Sequence, residues 1–125
     1  MKIVPHSAPV RGRECYVTID RMGRLCLSTG LRRELGIKLP VKLYVGYDKV
    51  NRRIGIAKPD VVRLVNVQPY SFDKRGCAIA RRFVKDNGID NSQARRYYYE
   101  GIEHGGENAG WMIFKQDGFS SPDQS

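Results

Sequence analysis

Arginine is the residue whose placement in this sequence carries the clearest chemical signal. Arg21 and Arg24 flank a Met-Gly turn, and Arg32 and Arg33 follow as a pair eight residues after Arg24. A guanidinium stays charged at any ordinary pH, and its planar donors match phosphate oxygens and the O6/N7 edge of guanine. The four side chains therefore predict binding to a polyanion rather than a catalytic reaction.

The distribution of charge points to the same part of the chain. The 125 residues carry a formal net charge of +9. Residues 1–60 contain 13 Lys and Arg against 5 Asp and Glu, whereas residues 61–125 contain 9 against 8. A concentrated cationic excess is typical of a surface that attracts nucleic acid. We expect the first half to carry that surface.

Residues that could support catalysis or hold a metal are scattered. His6 and His104 are isolated in predicted loops, and no pair of carboxylates has acid/base spacing. The three cysteines (Cys15, Cys26 and Cys77) lack the spacing of a zinc site and predict reduced, mostly buried thiols. We therefore expect neither an enzyme nor a metal or other cofactor.

No apolar run approaches the roughly 20 residues that a membrane-spanning helix needs. The N-terminal stretch also lacks the apolar centre of a signal peptide. These patterns predict a cytoplasmic protein with no membrane partner.

The elements that must position the arginines are short. Alternating apolar residues predict strands at 15–20, 24–27, 41–47 and 52–57, with a helix at 29–35. Ser28 or Thr29 can cap that helix, and Gly36 suits the left-handed residue that ends it. Leucines at the helical spacing of four predict a buried face, so the arginines are expected on the opposite side.

Four segments, VTIDRMGRLCL, LRRELGIK, VKLYV and IGIAK, carry a family resemblance. Residues 17–58 resemble the AbrB/SpoVT-type swapped-hairpin DNA-binding domain, which MazE-like antitoxins share. The resemblance implies that two chains interleave their hairpins into one small barrel. It also implies that Arg24, Arg32 and Arg33 face duplex DNA. Alternatively, one of the paired arginines forms a salt bridge to Glu34 or to Asp20 of the partner chain.

The sequence departs from the family pattern at several positions. Ser28 stands where the family usually has proline, and Leu39-Pro40 replaces the usual glycine-acid turn. The family's basic residues in the first strand are matched by uncharged ones. Three further arginines are expected to compensate: Arg11, Arg13 and Arg21.

The second half shows no resemblance, and no internal repeat is found along the chain. A helix is predicted over 72–86, capped by Ser71, with an apolar side that includes Phe72 and Phe83. The opposite side carries five cations: Lys74, Arg75, Arg81, Arg82 and Lys85. These either add phosphate contacts or form an ordinary solvated helix face. A hairpin is predicted from 95–103 and 111–115, and Tyr97 to Tyr99 either stack on bases or alternate between core and surface.

The predicted fold is mostly β with α: an N-terminal swapped-hairpin β-barrel formed by a dimer, plus a small α+β C-terminal domain of a helix and a β-hairpin. The predicted boundaries are a flexible basic arm at 1–13, the AbrB-like domain at 14–60, the C-terminal domain at 61–118 and a disordered tail at 119–125.

The leading functional interpretation is a homodimeric, nucleoid-associated transcriptional regulator of prokaryotic or phage type that binds duplex DNA, with tetramers left open. One alternative is a protein-interaction module whose C-terminal domain binds a component of the transcription machinery, or less readily a toxin. A second alternative is a protein that binds RNA or single strands.

Overall fold

The computed structural model describes residues 2–4 and 14–119, which form a mostly β structure. Residues 5–13, including Arg11 and Arg13, and most of the predicted tail lie outside the described residues. The strands are β1 Tyr16–Ile19, β2 Arg24–Leu27, β3 Val41–Asp48, β4 Arg53–Ala57, β5 Tyr70–Phe72, β6 Cys77–Ile79, β7 Arg95–Ile102 and β8 Met112–Gln116. The helices are α1 Thr29–Leu35 and α2 Arg81–Asp86, with a short 3₁₀ turn at Gly106–Asn108.

Local signals fixed the elements of the first half. The Ser28 hydroxyl accepts a hydrogen bond from the Leu31 amide at 3.1 Å, which begins α1 at the predicted residue. Gly36 ends the helix in the left-handed conformation, with φ of 62°. The hairpin predicted for 95–103 and 111–115 is also confirmed, as β7 and β8.

The predicted helix over 72–86 is wrong. Its first part forms β5, a tight turn and β6, and only Arg81–Asp86 is helical. The Asp73 carboxylate accepts hydrogen bonds from the amides of Arg75 and Cys77 at 2.9 and 3.0 Å, and this closes a turn. Gly76 permits that turn because its φ is 84°. The aspartate stabilises a turn here rather than the first turn of a helix.

All eight strands form one antiparallel sheet in the order β5-β3-β4-β8-β7-β1-β2-β6. The two edge strands meet through the β5–β6 turn, where the Asp73 amide donates to the Cys77 carbonyl at 2.9 Å. The sheet is therefore a nearly closed barrel within a single chain. Strands from both sides of residue 60 alternate in it, so a division into two domains at that point is not apparent.

The barrel interior is apolar. Its fully buried side chains include Val17, Leu25, Leu43, Ile54, Phe72, Tyr97 and Phe114, which come from seven different strands. Because this core draws on both halves of the chain, neither half encloses it alone.

The barrel has an internal pseudo-two-fold arrangement. Each half runs hairpin, helix, hairpin: β1-β2-α1-β3-β4 and then β5-β6-α2-β7-β8. If each strand is replaced by its counterpart in the other half (β1 by β5, β2 by β6, β3 by β7, β4 by β8), every strand keeps equivalent neighbours around the barrel. The centre of the β2–β6 ladder is the pair Leu25–Ala78, and the centre of the β4–β8 ladder lies between the pairs Ile54–Phe114 and Gly55–Ile113. The pseudo-axis therefore passes through these two ladders.

Details of the turns repeat as well. The Asp20 carboxylate accepts hydrogen bonds from the amides of Met22 and Arg24, both at 2.9 Å. Asp73 accepts from Arg75 and Cys77, so in both turns the donors are two and four residues after the aspartate. Gly23 has a φ of 77°, close to that of Gly76. The first half is therefore repeated structurally in the second, a repeat that the sequence analysis missed.

Hairpin exchange takes place between these halves. β1 pairs with β7 of the second half, and β5 pairs with β3 of the first. The family resemblance assigns such pairing to two chains, whereas here the second half occupies the position of the partner. The homodimer stays a prediction, and the barrel of a single chain already contains eight strands.

The expectation of reduced thiols is wrong for two of the three cysteines. Cys26 on β2 and Cys77 on β6 are directly opposite in the ladder and form a disulfide. Cys15 is buried beside β1. Because the disulfide partners are 51 residues apart, only the tertiary pairing of β2 with β6 brings them together.

Candidate nucleic-acid interface

The β2–β6 ladder lies between two cationic regions. At one end, the β1–β2 turn (residues 20–23) meets α2; we call this the α2 end. At the other, the β5–β6 turn (residues 73–76) meets α1; we call this the α1 end. Each turn lies beside the helix of the other half because the Ala80 amide donates to the Gly23 carbonyl at 2.9 Å and the Leu27 amide donates to the Gly76 carbonyl at 2.8 Å. The hairpin exchange thus brings together predicted sites far apart in sequence.

The α2 end contains a cleft of about 650 Å³ between the turn and the helix. Three cations line it, Arg21, Arg81 and Lys85, and no carboxylate does. The Arg81 Nε donates to the Met22 carbonyl at 3.2 Å, so the helix holds the turn in place. Asn91 also donates to the Arg21 carbonyl, at 3.3 Å. The structure therefore joins a predicted DNA-contact arginine to two of the predicted accessory cations.

Arg24 is held at the base of the same turn. Its Nε donates to the Asp20 Oδ2 at 2.7 Å, and 52% of its side chain is exposed. Desolvation acts to raise the pKa of Asp20, but hydrogen bonds from the Arg24 amide and guanidinium outweigh it and lower that pKa. Only the Nε atom of Arg24 takes part in this contact, and its two terminal nitrogens bond to no other described residue. These two nitrogens can therefore donate together to one bidentate acceptor.

The α1 end carries Lys74, Arg75 and Arg33 as exposed cations. Arg32 differs from them because it is only partly exposed. Its Nη2 donates to the Thr29 hydroxyl at 2.9 Å, and its aliphatic stem lies against Gly76. Its Nε is buried and has no hydrogen-bond partner among the described residues. Arg32 thus packs against the β5–β6 turn, and the structural partner of this arginine is a threonine rather than an acid.

Arg82 makes a long, exposed contact of 3.6 Å with Asp86, one turn further along α2. Such pairs on a helix surface contribute little to stability, about 0.3–0.5 kcal/mol. Arg82 therefore remains available for an anionic partner.

The three consecutive tyrosines have three different environments. Tyr97 is fully buried, and this burial raises the pKa of its phenol. Tyr99 packs on Phe114 with ring centroids 5.4 Å apart. Tyr98 lies on the outer face beside Tyr16, at 5.7 Å, and the Arg96 guanidinium covers the Tyr16 ring at 4.4 Å. The outer face therefore carries a partly exposed group of two tyrosines and an arginine, Tyr16, Tyr98 and Arg96, and sequence reasoning missed the first of these.

Two turn signals in the sequence could have revealed the arrangement. Asp-x-x-Gly occurs at 20–23 and again at 73–76, and Gly-Ile follows at 36–37 and at 88–89. The glycine of the Gly-Ile pair comes 13 residues after the glycine of Asp-x-x-Gly in the first half and 12 residues after it in the second. Since Gly36 and Gly88 have φ of 62° and 63°, the paired spacing marks the same turn and helix end in both halves.

Within residues 2–4 and 14–119, no three His, Cys, Asp or Glu side chains are grouped closely enough to hold a metal ion. Over the same residues, no helix has the length and apolar character needed to cross a bilayer. No protein-family model, curated protein or solved structure matches this chain.

Proposed function

We propose that this protein binds duplex DNA through the cations at the two ends of the β2–β6 ladder and acts as a transcriptional regulator. The observation that carries the proposal is the convergence of both turns and both helices around one short ladder. Nine cations belong to these elements: Arg21, Arg24, Arg32, Arg33, Lys74, Arg75, Arg81, Arg82 and Lys85. The same elements hold four carboxylates, of which Asp20 and Asp73 are engaged by turn amides.

The dimensions support a duplex partner. The Cα positions of β2, from Arg24 to Leu27, extend over about 10 Å at the usual strand rise. The major groove of B-DNA is about 12 Å wide, so cations at the two ends suit phosphates on either side of one groove. Arg24 would then approach the base edges between them, where arginine pairs well with guanine.

The swapped-hairpin resemblance supports the proposal in modified form. The resemblance implies a dimer in which each chain contributes one cationic turn. Here one chain carries two such turns, at residues 20–23 and 73–76. Association into homodimers or tetramers would place two or more such surfaces along the DNA. A location beside the nucleoid of a prokaryotic or phage-infected cell follows from this partner.

The test is an electrophoretic mobility-shift titration with duplexes selected from a random pool at near-physiological salt. We expect Arg21→Ala combined with Lys85→Ala to weaken binding at least tenfold and to reduce the slope of log affinity against log salt by about 2, since each lost phosphate contact removes nearly one unit. Arg63→Ala is the control, because Arg63 is an exposed cation that belongs to neither of the two turns nor to either helix. Equal affinity for all three proteins would reject the proposal.

A second candidate, single-strand binding, is favoured by the partly exposed group of Tyr16, Arg96 and Tyr98. Aromatic rings and guanidinium planes stack on unpaired bases without regard to sequence. Competition between duplex and single-stranded oligonucleotides separates the two candidates. If single strands displace the duplex and Tyr98→Ala removes that advantage, the second candidate replaces the first.

A further inference from the structure

The pseudo-two-fold arrangement defines equivalent positions in the two halves, and these positions carry different chemistry. Residues that follow the two turns correspond, because the amides of Arg24 and Cys77 donate to equivalent carboxylates at 2.9 and 3.0 Å. Arg24 therefore has a cysteine as its counterpart. A structurally two-fold surface thus has one arginine where a true dimer would have two.

At the α2 end, Arg24 is held in one orientation. Its Nε is tied to Asp20 at 2.7 Å, which fixes the plane of the guanidinium. A fixed guanidinium with two terminal nitrogens can donate both bonds to the O6/N7 edge of a guanine.

At the α1 end, Cys77 occupies the position equivalent to Arg24, and among the described residues no guanidinium is tied to the turn carboxylate as Arg24 is. Cys77 is joined to Cys26 by the disulfide, so the outer surface beside this turn carries sulfur instead of a guanidinium. The exposed cations present there are Lys74 and Arg75 in the turn and Arg33 on α1, and none of them forms a salt bridge with another described residue. No contact fixes the orientation of these side chains as Asp20 fixes that of Arg24, so we assign them to phosphates, and phosphate contacts carry no sequence information.

We infer that one chain recognises a non-palindromic duplex site, with the α2 end reading bases on one side of the site and the α1 end holding only the backbone on the other side. The inference rests on the proposed duplex binding. It differs from the recognition by a symmetric homodimer, because two identical half-sites need two identical readers.

Selection of bound duplexes by the full chain, combined with native mass spectrometry of the complex, tests the inference. We expect a 1:1 complex and an enriched motif whose base preference is confined to one side. Arg24→Ala should flatten that preference by tenfold or more at one or two adjacent positions, since one bidentate arginine–guanine pair has about that discrimination. Lys74→Ala with Arg75→Ala should weaken binding to all duplexes alike and lower the salt slope by about 2.

The outcomes separate this inference from the proposed function. A palindromic motif bound by two chains, or a loss of preference in both half-sites on Arg24→Ala, would overturn the inference and leave duplex binding intact. Duplex binding without any enriched motif would overturn it too. Failure of the folded protein to bind any duplex would reject the proposed function itself. Circular dichroism of each variant shows that it is folded.

Discussion

The Leu27 amide donates a hydrogen bond to the Gly76 carbonyl at 2.8 Å and so ties the end of the first hairpin to the turn of the third. Its pseudo-symmetric counterpart joins Ala80 to Gly23 at 2.9 Å. Each half thereby extends the ladder of the other. The arrangement means that the cationic turns are positioned by residues about 50 apart in sequence rather than by their own hairpins.

The first prediction concerns residues 1–60 produced alone. This fragment contains β1 and β3 but lacks β7 and β5, the strands that pair with them. We expect no folded monomer, because an unpaired four-stranded fragment leaves its apolar face exposed. Any folded form should be a dimer in which the same hairpins are exchanged between two copies. Circular dichroism with sedimentation across a concentration series measures this, and a folded monomeric fragment would contradict the pairing.

The second prediction concerns the disulfide. The bond between Cys26 and Cys77 closes a loop of 51 residues, for which the chain-entropy relation gives a stabilisation of about 4 kcal/mol as an upper value. We expect Cys26→Ser with Cys77→Ser to lower the free energy of unfolding by about 2–4 kcal/mol, measured by urea denaturation.

Reductant supplies the control for this measurement. Dithiothreitol should destabilise the natural protein and leave the double variant unchanged. If reductant has no effect on the natural protein, the two thiols are not joined in solution.

The third prediction compares two glycines with similar backbone conformations. Gly23 and Gly88 have φ of 77° and 63°, so alanine at either position is strained by roughly 1–2 kcal/mol. A Cβ at residue 23 would also lie 2.8 Å from the Arg81 Cγ and 3.1 Å from its Cα, whereas residue 88 has open space. We expect Gly23→Ala to destabilise the fold clearly more than Gly88→Ala and to weaken DNA binding by displacing α2. Equal unfolding midpoints would show that the turn does not pack on α2.

The fourth prediction concerns acid stability. Hydrogen bonds from the Ser92 amide and hydroxyl, together with Arg95, lower the pKa of Asp90 to about 2. An unfolded aspartate titrates near pH 4, so the folded state favours the ionised carboxylate. This contribution is complete above about pH 4 and disappears as the pH falls towards 2.

The Asp90→Asn variant tests that dependence. We expect it to be less stable than the natural protein at pH 6, with the difference shrinking as the pH approaches 2. The measurement is the thermal unfolding midpoint at a series of pH values. A difference that stays constant across the series would show that Asp90 has no special interaction in the folded state.

The sequence by itself determined the local elements of the first half. The bounds of β2 and α1, the Ser28 cap and the Gly36 stop all agree with prediction, because each depends on residues within a few positions of one another. The clustering of the arginines around the first turn and on α1 was also evident from the sequence. Their DNA partner remains a prediction.

Only the tertiary structure decided how these elements combine. The spacing of Phe72, Ile79 and Phe83 suits one face of a helix, but Asp73 and Gly76 form a turn that places Phe72 and Ile79 on separate strands. The disulfide, the pairing of β1 with β7 and the meeting of Arg21 with Lys85 all join residues more than 50 positions apart. Such contacts depend on which strands pair, and strand pairing is settled by burying one shared core rather than by local preference.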